Sequence, residues 1–205
     1  MTAYTKNINN LLDKIQNVDG DIIELGVYKG QNTLIMGDFL QERNSAKQYI
    51  GFDTFEGYCE EDLVGSNEGV LANQRRKRWD IPKTLVVDKI ADRGLDGYCQ
   101  IVVGDIKSTI YKYLDMRGES YKISMIYIDC NVYLAAITAL RACKKYLSTG
   151  ALVVVDEHVT GGETQAFNEF GEETMMEVSS TGWSYPDGPS MYGTISGRLL
   201  RTEVA

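Results

Sequence analysis

Two apolar runs in this chain stop on acid, and that limits how it can fold. Residues 123–129 read ISMIYID and end at Asp129; residues 151–157 read ALVVVDE and end at the pair Asp156-Glu157. Between them, Tyr133, Ala136, Ile137, Leu140 and Leu147 share one face of a helical pattern over residues 133–147, which Ser148-Thr149-Gly150 stops. A strand, a helix and a second strand of this kind make a parallel α/β pair. Its carboxyl ends share the rim where such sheets bind ligands. Three carboxylates converging on that rim repel one another unless a proton or a cation lies between them.

The same alternation runs back to the start. Ile8, Leu11, Leu12, Ile15 and Val18 place an amphipathic helix over residues 3–18, ended by Asp19-Gly20. DIIELG (21–26), QYIGFD (48–53) and QIVVGD (100–105) are short strands that stop on glycine or acid. Residues 31–42 and 83–94 read as helices, as does a short stretch at 163–171. From about residue 174 the pattern becomes two strands around the turn residues Pro186, Gly188 and Pro189. The expected architecture is α/β: a doubly wound, mostly parallel sheet with an antiparallel ending, in one domain over residues 1–205. Residues 57–82 lack a clean period and hold the basic run Arg75-Arg76-Lys77-Arg78; they read as a lid or loop. That run is a solvated face or a clamp for an anionic group.

Composition narrows the function classes. A net charge of -8 argues against nucleic acid as a partner. The longest apolar runs fall short of the roughly 18 residues a membrane span needs. Cys59, Cys99, Cys130 and Cys143 match neither zinc-site nor compact disulfide spacing. With no apolar leader in MTAYTKNINN, the expectation is a cytoplasmic protein with four reduced thiols.

The rim residues carry the chemistry. Glu24-Leu25-Gly26-Val27-Tyr28-Lys29-Gly30 is a strand-to-helix turn whose glycines let a ligand approach the backbone. It is GxxxG rather than the dinucleotide fingerprint GxGxxG. Asp53 ends the second strand, where an acid can accept both ribose hydroxyls, and Asp105 could accept from an adenine amino group. Each could instead cap a helix. Asp129, Asp156 and Glu157 offer hard oxygen ligands for Mg²⁺, Mn²⁺ or Ca²⁺, or else cap the segments that follow them. His158, the single histidine, follows the acidic pair and could act as a base or touch a substrate. Asn131 could donate to a ligand or cap the next helix.

The run IIELGVYKG resembles the cofactor loop of class I S-adenosylmethionine-dependent methyltransferases. More narrowly, GFDTFEG (51–57), YIDCNVY (127–133), VVVDEH (153–158) and GGETQAF (161–167) resemble the macrocin O-methyltransferase family. The resemblance covers about residues 20–170. It implies a Rossmann-like methyltransferase fold with a seven-stranded sheet and an antiparallel C-terminal strand. It also implies a Mg²⁺-assisted transfer of methyl from S-adenosyl-L-methionine to a sugar hydroxyl of a natural product, glycan or nucleotide-sugar. Carried over by position, Glu24, Gly26, Asp53 and Thr54 hold the methionine and ribose parts, joined by Tyr28, Gly30 and Thr33 from the same turn. Asp105 approaches adenine, and Asp129, Asp156 and Glu157 hold the metal. Catalysis falls to His158 as the favoured base, to Asp129 and to Asn131. The family usually has an acid at the position of Asn131 and ends its metal pair Asp-Asp, where this chain has Asp156-Glu157. The chain is also shorter than typical members. A homo-oligomer is compatible with the resemblance.

Two other enzymes share parts of the pattern. A catechol-type O-methyltransferase keeps the metal logic but takes a flat aromatic diol, which Tyr28, Tyr58, Trp183 and Tyr192 could line as readily as a sugar. A nicotinamide-dependent oxidoreductase would need the missing GxGxxG.

Overall fold

Alternation along each strand sorts the side chains into two cores, one on each face of a single sheet. A computed structural model describes residues 1–63, 81–156, 161–185 and 188–196. The strands are β1 (Asp21–Leu25), β2 (Tyr49–Asp53), β3 (Cys99–Val103), β4 (Ile123–Ile128), β5 (Leu147–Val155), β6 (Glu177–Tyr185) and β7 (Gly188–Thr194). The helices are α1 (Ala3–Lys14), α2 (Gln31–Glu42), α3 (Thr84–Asp92), α4 (Ile106–Arg117), α5 (Tyr133–Cys143) and α6 (Gly162–Thr174). The seven strands lie in the order β3-β2-β1-β4-β5-β7-β6. Pairing is parallel from β3 through β5, and β7 runs antiparallel to both β5 and β6.

On one face Ile22, Tyr49, Met125, Tyr127 and Val154 pack under α1, α2 and α3 through Leu11, Phe39 and Ile90. On the other, Ile23, Phe52, Ile126, Ile128 and Val155 pack under α4, α5 and α6 through Ile110, Leu140 and Phe167. Strands covered on both faces must be apolar throughout, and all six residues of β4 are buried. The edge strand β3 is covered less completely and leaves Val103 44% exposed. Phe167 and Phe170 are fully buried, each stabilising the fold by about 2–3 kcal/mol. No helix among the described residues is long and apolar enough to cross a membrane.

The structure corrects two boundaries and adds one helix. The first helix ends at Lys14, not near residue 18. Leu147 opens β5 opposite Ile123 instead of closing the preceding helix, and a 3₁₀ turn, Lys144–Tyr146, makes the transition. Helix α4 is an element the apolar pattern alone did not reveal. Its buried stripe of Ile106, Ile110, Tyr113 and Leu114 includes a tyrosine, and its face to solvent carries Tyr111 and Met116 among the charged residues, which blurs the period. Its end signals were legible: Asp105 caps it by accepting from Lys107 N at 3.0 Å, and Gly118 stops it with φ 75°.

Candidate active site

The carboxyl ends of the parallel strands converge because one of them has no side chain where they meet. Gly26, after β1, has φ 93°, and a Cβ there would lie 2.2 Å from the carbonyl oxygen of Asp129, after β4. The β1 turn therefore closes directly on the β4 turn, and only glycine permits it. The turn continues through Tyr28 with φ 50° to Gly30 with φ 76°, which opens α2. Asp53, at the end of β2, braces this loop. Its Oδ2 accepts from Val27 N at 2.7 Å and Tyr28 N at 2.8 Å, and its Oδ1 accepts from Phe55 N at 2.7 Å. Three amide donors fix the position of the carboxyl. Thr54 shapes the next turn, donating to Gly57 O at 2.7 Å and accepting from Glu56 N at 3.1 Å.

A cavity of about 380 Å³ lies over these ends. Gly26, Tyr28, Asp53, Thr54, Gly57, Tyr58, Cys59 and Asp62 line one side; Asp105, Ile106, Asp129, Cys130, Asn131, Val132, Ala135 and Glu163 complete it. A volume in this range suits a nucleoside-sized ligand. Tyr28, Asp53, Thr54, Gly26, Asp105, Asp129 and Asn131 thus reach one cavity from four strand ends.

Glu24, Gly30 and Thr33, also expected at the cofactor, are not among the residues that line it. Glu24 is 1% exposed and lies beneath the loop. Tyr49 OH donates to its Oε2, and Asn32 Nδ2 donates to Oε1 at 2.7 Å. Asn32 in turn accepts from Tyr4 OH of α1 at 2.5 Å, while Thr33 Oγ1 lies 2.8 Å from Tyr49 OH. Burial pushes the Glu24 carboxyl up to about 8, against the lowering effect of its two donors. A side chain on Gly30 would meet Val86 of α3. These three residues therefore build the underside of the loop.

Asp129 and Asp156 stand level on neighbouring strands. Asp129 N donates to Leu25 O at 2.8 Å, and Asp156 N donates to Ile128 O at 3.0 Å, continuing the ladders past the strand ends. Asp129 opens onto the cavity; Asp156 is 6% exposed and accepts from Tyr127 OH. Glu157 and His158 lie outside the described residues, as does the basic run at 75–78. Among the described residues no three His, Cys, Asp or Glu side chains form a metal-holding group. The two aspartates are hard oxygen donors of the kind Mg²⁺ takes, so the donor chemistry present fits such an ion.

Sequence reasoning passed over two features of the wall. Glu163, on the first turn of α6, is 6% exposed and accepts from the Asn131 amide at 2.7 Å. Asn131 itself has φ 64°. The GGETQAF motif pointed to this segment but not to this residue. Lys107 pairs with Asp62 at 2.9 Å and with Asp105 at 3.1 Å, and no local pattern announces it. Two of the four aromatics expected around a substrate lie elsewhere. Trp183 packs edge-on against Tyr4 at 5.9 Å, and Tyr192 lies under Lys14 at 5.5 Å, both beside α1. All four cysteines are free thiols.

Comparisons with known proteins agree with this geometry. The sequence model of the Macrocin-O-methyltransferase (TylF) family matches residues 2–180. Among solved structures, the O-methyltransferase NovP superposes with TM-score 0.78 at 18% identity, covering 94% of this chain and 79% of its own. The calicheamicin methyltransferase CalS11 does so with TM-score 0.72 at 21% identity, covering 93% and 78%. An O-methyltransferase from Bacillus cereus in complex with SAH gives TM-score 0.60 at 12% identity, covering 95% and 82%. No curated protein matches the sequence. The family match spans most of the chain, and the chain belongs to the macrocin O-methyltransferase family, an O-methyltransferase on the class I S-adenosylmethionine-dependent fold.

Proposed function

We propose that this enzyme moves a methyl group from S-adenosylmethionine to a sugar hydroxyl with the help of a divalent cation. The observation that carries the reading is the acid-lined cavity over β1 to β4 in a chain of this family. Its shape offers a turn for the methionine and ribose parts at Gly26, Tyr28 and Thr54, and an acceptor for the adenine amine at Asp105. Asp53 supports the ribose side chiefly by holding the loop, with one lone pair of Oδ1 left for a hydroxyl. Glu24, Gly30 and Thr33 act from beneath by keeping that loop in place.

S-adenosylmethionine supplies an electrophilic methyl on a sulfonium, so the chain's own task is alignment and proton removal. Asp129, Asp156 and Glu157 would hold the cation, which when bound acidifies a coordinated hydroxyl. His158, directly after that pair, is the assigned base, with Asp129 as the second choice. Asn131 cannot take a proton and is assigned to orienting the acceptor.

A sugar is favoured over a flat aromatic diol because Trp183 and Tyr192 are spent against α1, leaving Tyr28 and Tyr58 in a lining that carries five carboxyl side chains. CalS11 is described as a TDP-rhamnose 3'-O-methyltransferase, which supports a nucleotide-sugar or a glycosylated natural product as the acceptor class here. Family membership replaces the oxidoreductase alternative. The test is methyl transfer, followed by mass spectrometry, across a panel of nucleotide-sugars, glycosylated macrolides and catechols, with and without EDTA. Sugar products that disappear with EDTA and return with Mg²⁺ support the reading. Catechol products alone, or sugar turnover indifferent to EDTA, refute the acceptor or the metal role respectively.

A further inference from the structure

Two acids of the cavity wall are tied to a lysine that the proposed chemistry does not use. Lys107, on the first turn of α4, is surrounded by acid: Asp62 at 2.9 and 3.0 Å, Asp105 Oδ1 at 3.1 Å and Glu61 at 3.2 Å. Its side chain is only 13% exposed. Burial alone would disfavour the ammonium, but its bonds to Asp62, Asp105 and Glu61 outweigh this and raise its pKa, so it stays charged. Asp62 and Asp105 both line the cavity, and without a cation between them the two would repel.

The contacts also divide the work of the Asp105 carboxylate. Oδ1 receives Lys107 N at 3.0 Å as the helix cap and Lys107 Nζ at 3.1 Å, which fills it. Oδ2 has no hydrogen-bond partner among the described residues. It is the acceptor left for a ligand at the β3 end of the cavity.

We propose that Lys107 is a positioning residue that builds an amino-group subsite: by tying Asp62 and one oxygen of Asp105 together, it presents the other oxygen to the exocyclic amine of the cofactor's adenine. This rests on the S-adenosylmethionine reading above. A 6-amino group donates to that oxygen. A 6-oxo group sets oxygen against oxygen and leaves that carboxylate oxygen without a donor, so the site discriminates between the two.

The test compares calorimetric binding of S-adenosylhomocysteine with that of its 6-oxo analogue, S-inosylhomocysteine. The wild type is expected to prefer the amino form by roughly 10- to 100-fold, the range of a hydrogen bond to a charged group. Lys107→Met lowers that ratio at least about fivefold, and Lys107→Arg restores it. Asp62→Asn, which keeps the shape and removes one charge, serves as the second variant should Lys107→Met fail to fold. A folded Lys107→Met or Asp62→Asn that keeps the wild-type ratio overturns the inference. A wild type that binds neither compound overturns the cofactor reading itself, a different failure from an unchanged ratio.

Discussion

Glu24 and Asp53 stand near the ends of neighbouring strands, yet the fold treats their carboxyls differently. Asp53 stands at the rim, and three backbone amides donate to it. Glu24 stands one layer below, sealed under the loop, where burial pushes its pKa up to about 8. Residue type does not separate them. Height relative to the rim does, because the rim supplies amide donors and solvent while the layer beneath supplies Tyr49, Asn32 and apolar packing. The rim acid can meet a ligand; the buried acid ties α1, through Tyr4 and Asn32, to the base of the loop.

The largest effect should come from the rim's far side. Asp129→Asn is expected to cut methyl transfer in Mg²⁺ by roughly a thousandfold, as loss of the proposed metal ligand would forfeit several kcal/mol of transition-state stabilisation. Turnover within tenfold of wild type would separate Asp129 from the chemistry and leave the rim a purely structural feature.

Gly26→Ala attacks the contact that brings the β1 and β4 turns together. A methyl 2.2 Å from Asp129 O cannot be accommodated without moving backbone, and the expected loss is about 2–4 kcal/mol in urea denaturation with cofactor binding weakened. Unchanged stability would mean that the loops adjust independently. Asp53→Asn replaces the anion by a group with one acceptor oxygen, so at least one loop amide loses its partner. About 1–3 kcal/mol of stability should go, together with affinity for S-adenosylhomocysteine measured by calorimetry.

Glu24→Gln gives the smallest and most diagnostic change. Between the unfolded carboxyl's range and about 8, the folded protein holds a proton that the unfolded chain has released. Wild-type stability therefore falls as pH rises through that window and levels off above it. The variant has no proton to lose there. Its melting temperature should gain on the wild type from pH 5 to pH 8, and parallel curves would show that Glu24 is ionised when folded, collapsing the contrast with Asp53.

Much of this arrangement was legible from local pattern. The strand runs, the acids that end them and the glycines after β1 follow from periodicity and turn chemistry, and α2 spans the expected residues 31–42. What escaped was non-local. Helix α4 hid because a tyrosine stands in its apolar stripe, although Asp105 and Gly118 marked its ends. Leu147 passed for a helical residue until Ile123 paired with it in the sheet. Lys107 and Glu163 carry no motif; they matter only because Asp62, 45 positions away, and Asn131, 32 positions away, fold against them.

By itself, the order of residues determined that apolar segments alternate with helices and that each parallel strand delivers an acid or a glycine to one rim. Those are consequences of short-range periodicity and backbone preference. Which acids stand in the cavity, which is buried beneath the loop, and which are bound to a lysine was decided by the tertiary structure. Burial and hydrogen-bond supply depend on neighbours brought together only when the sheet closes.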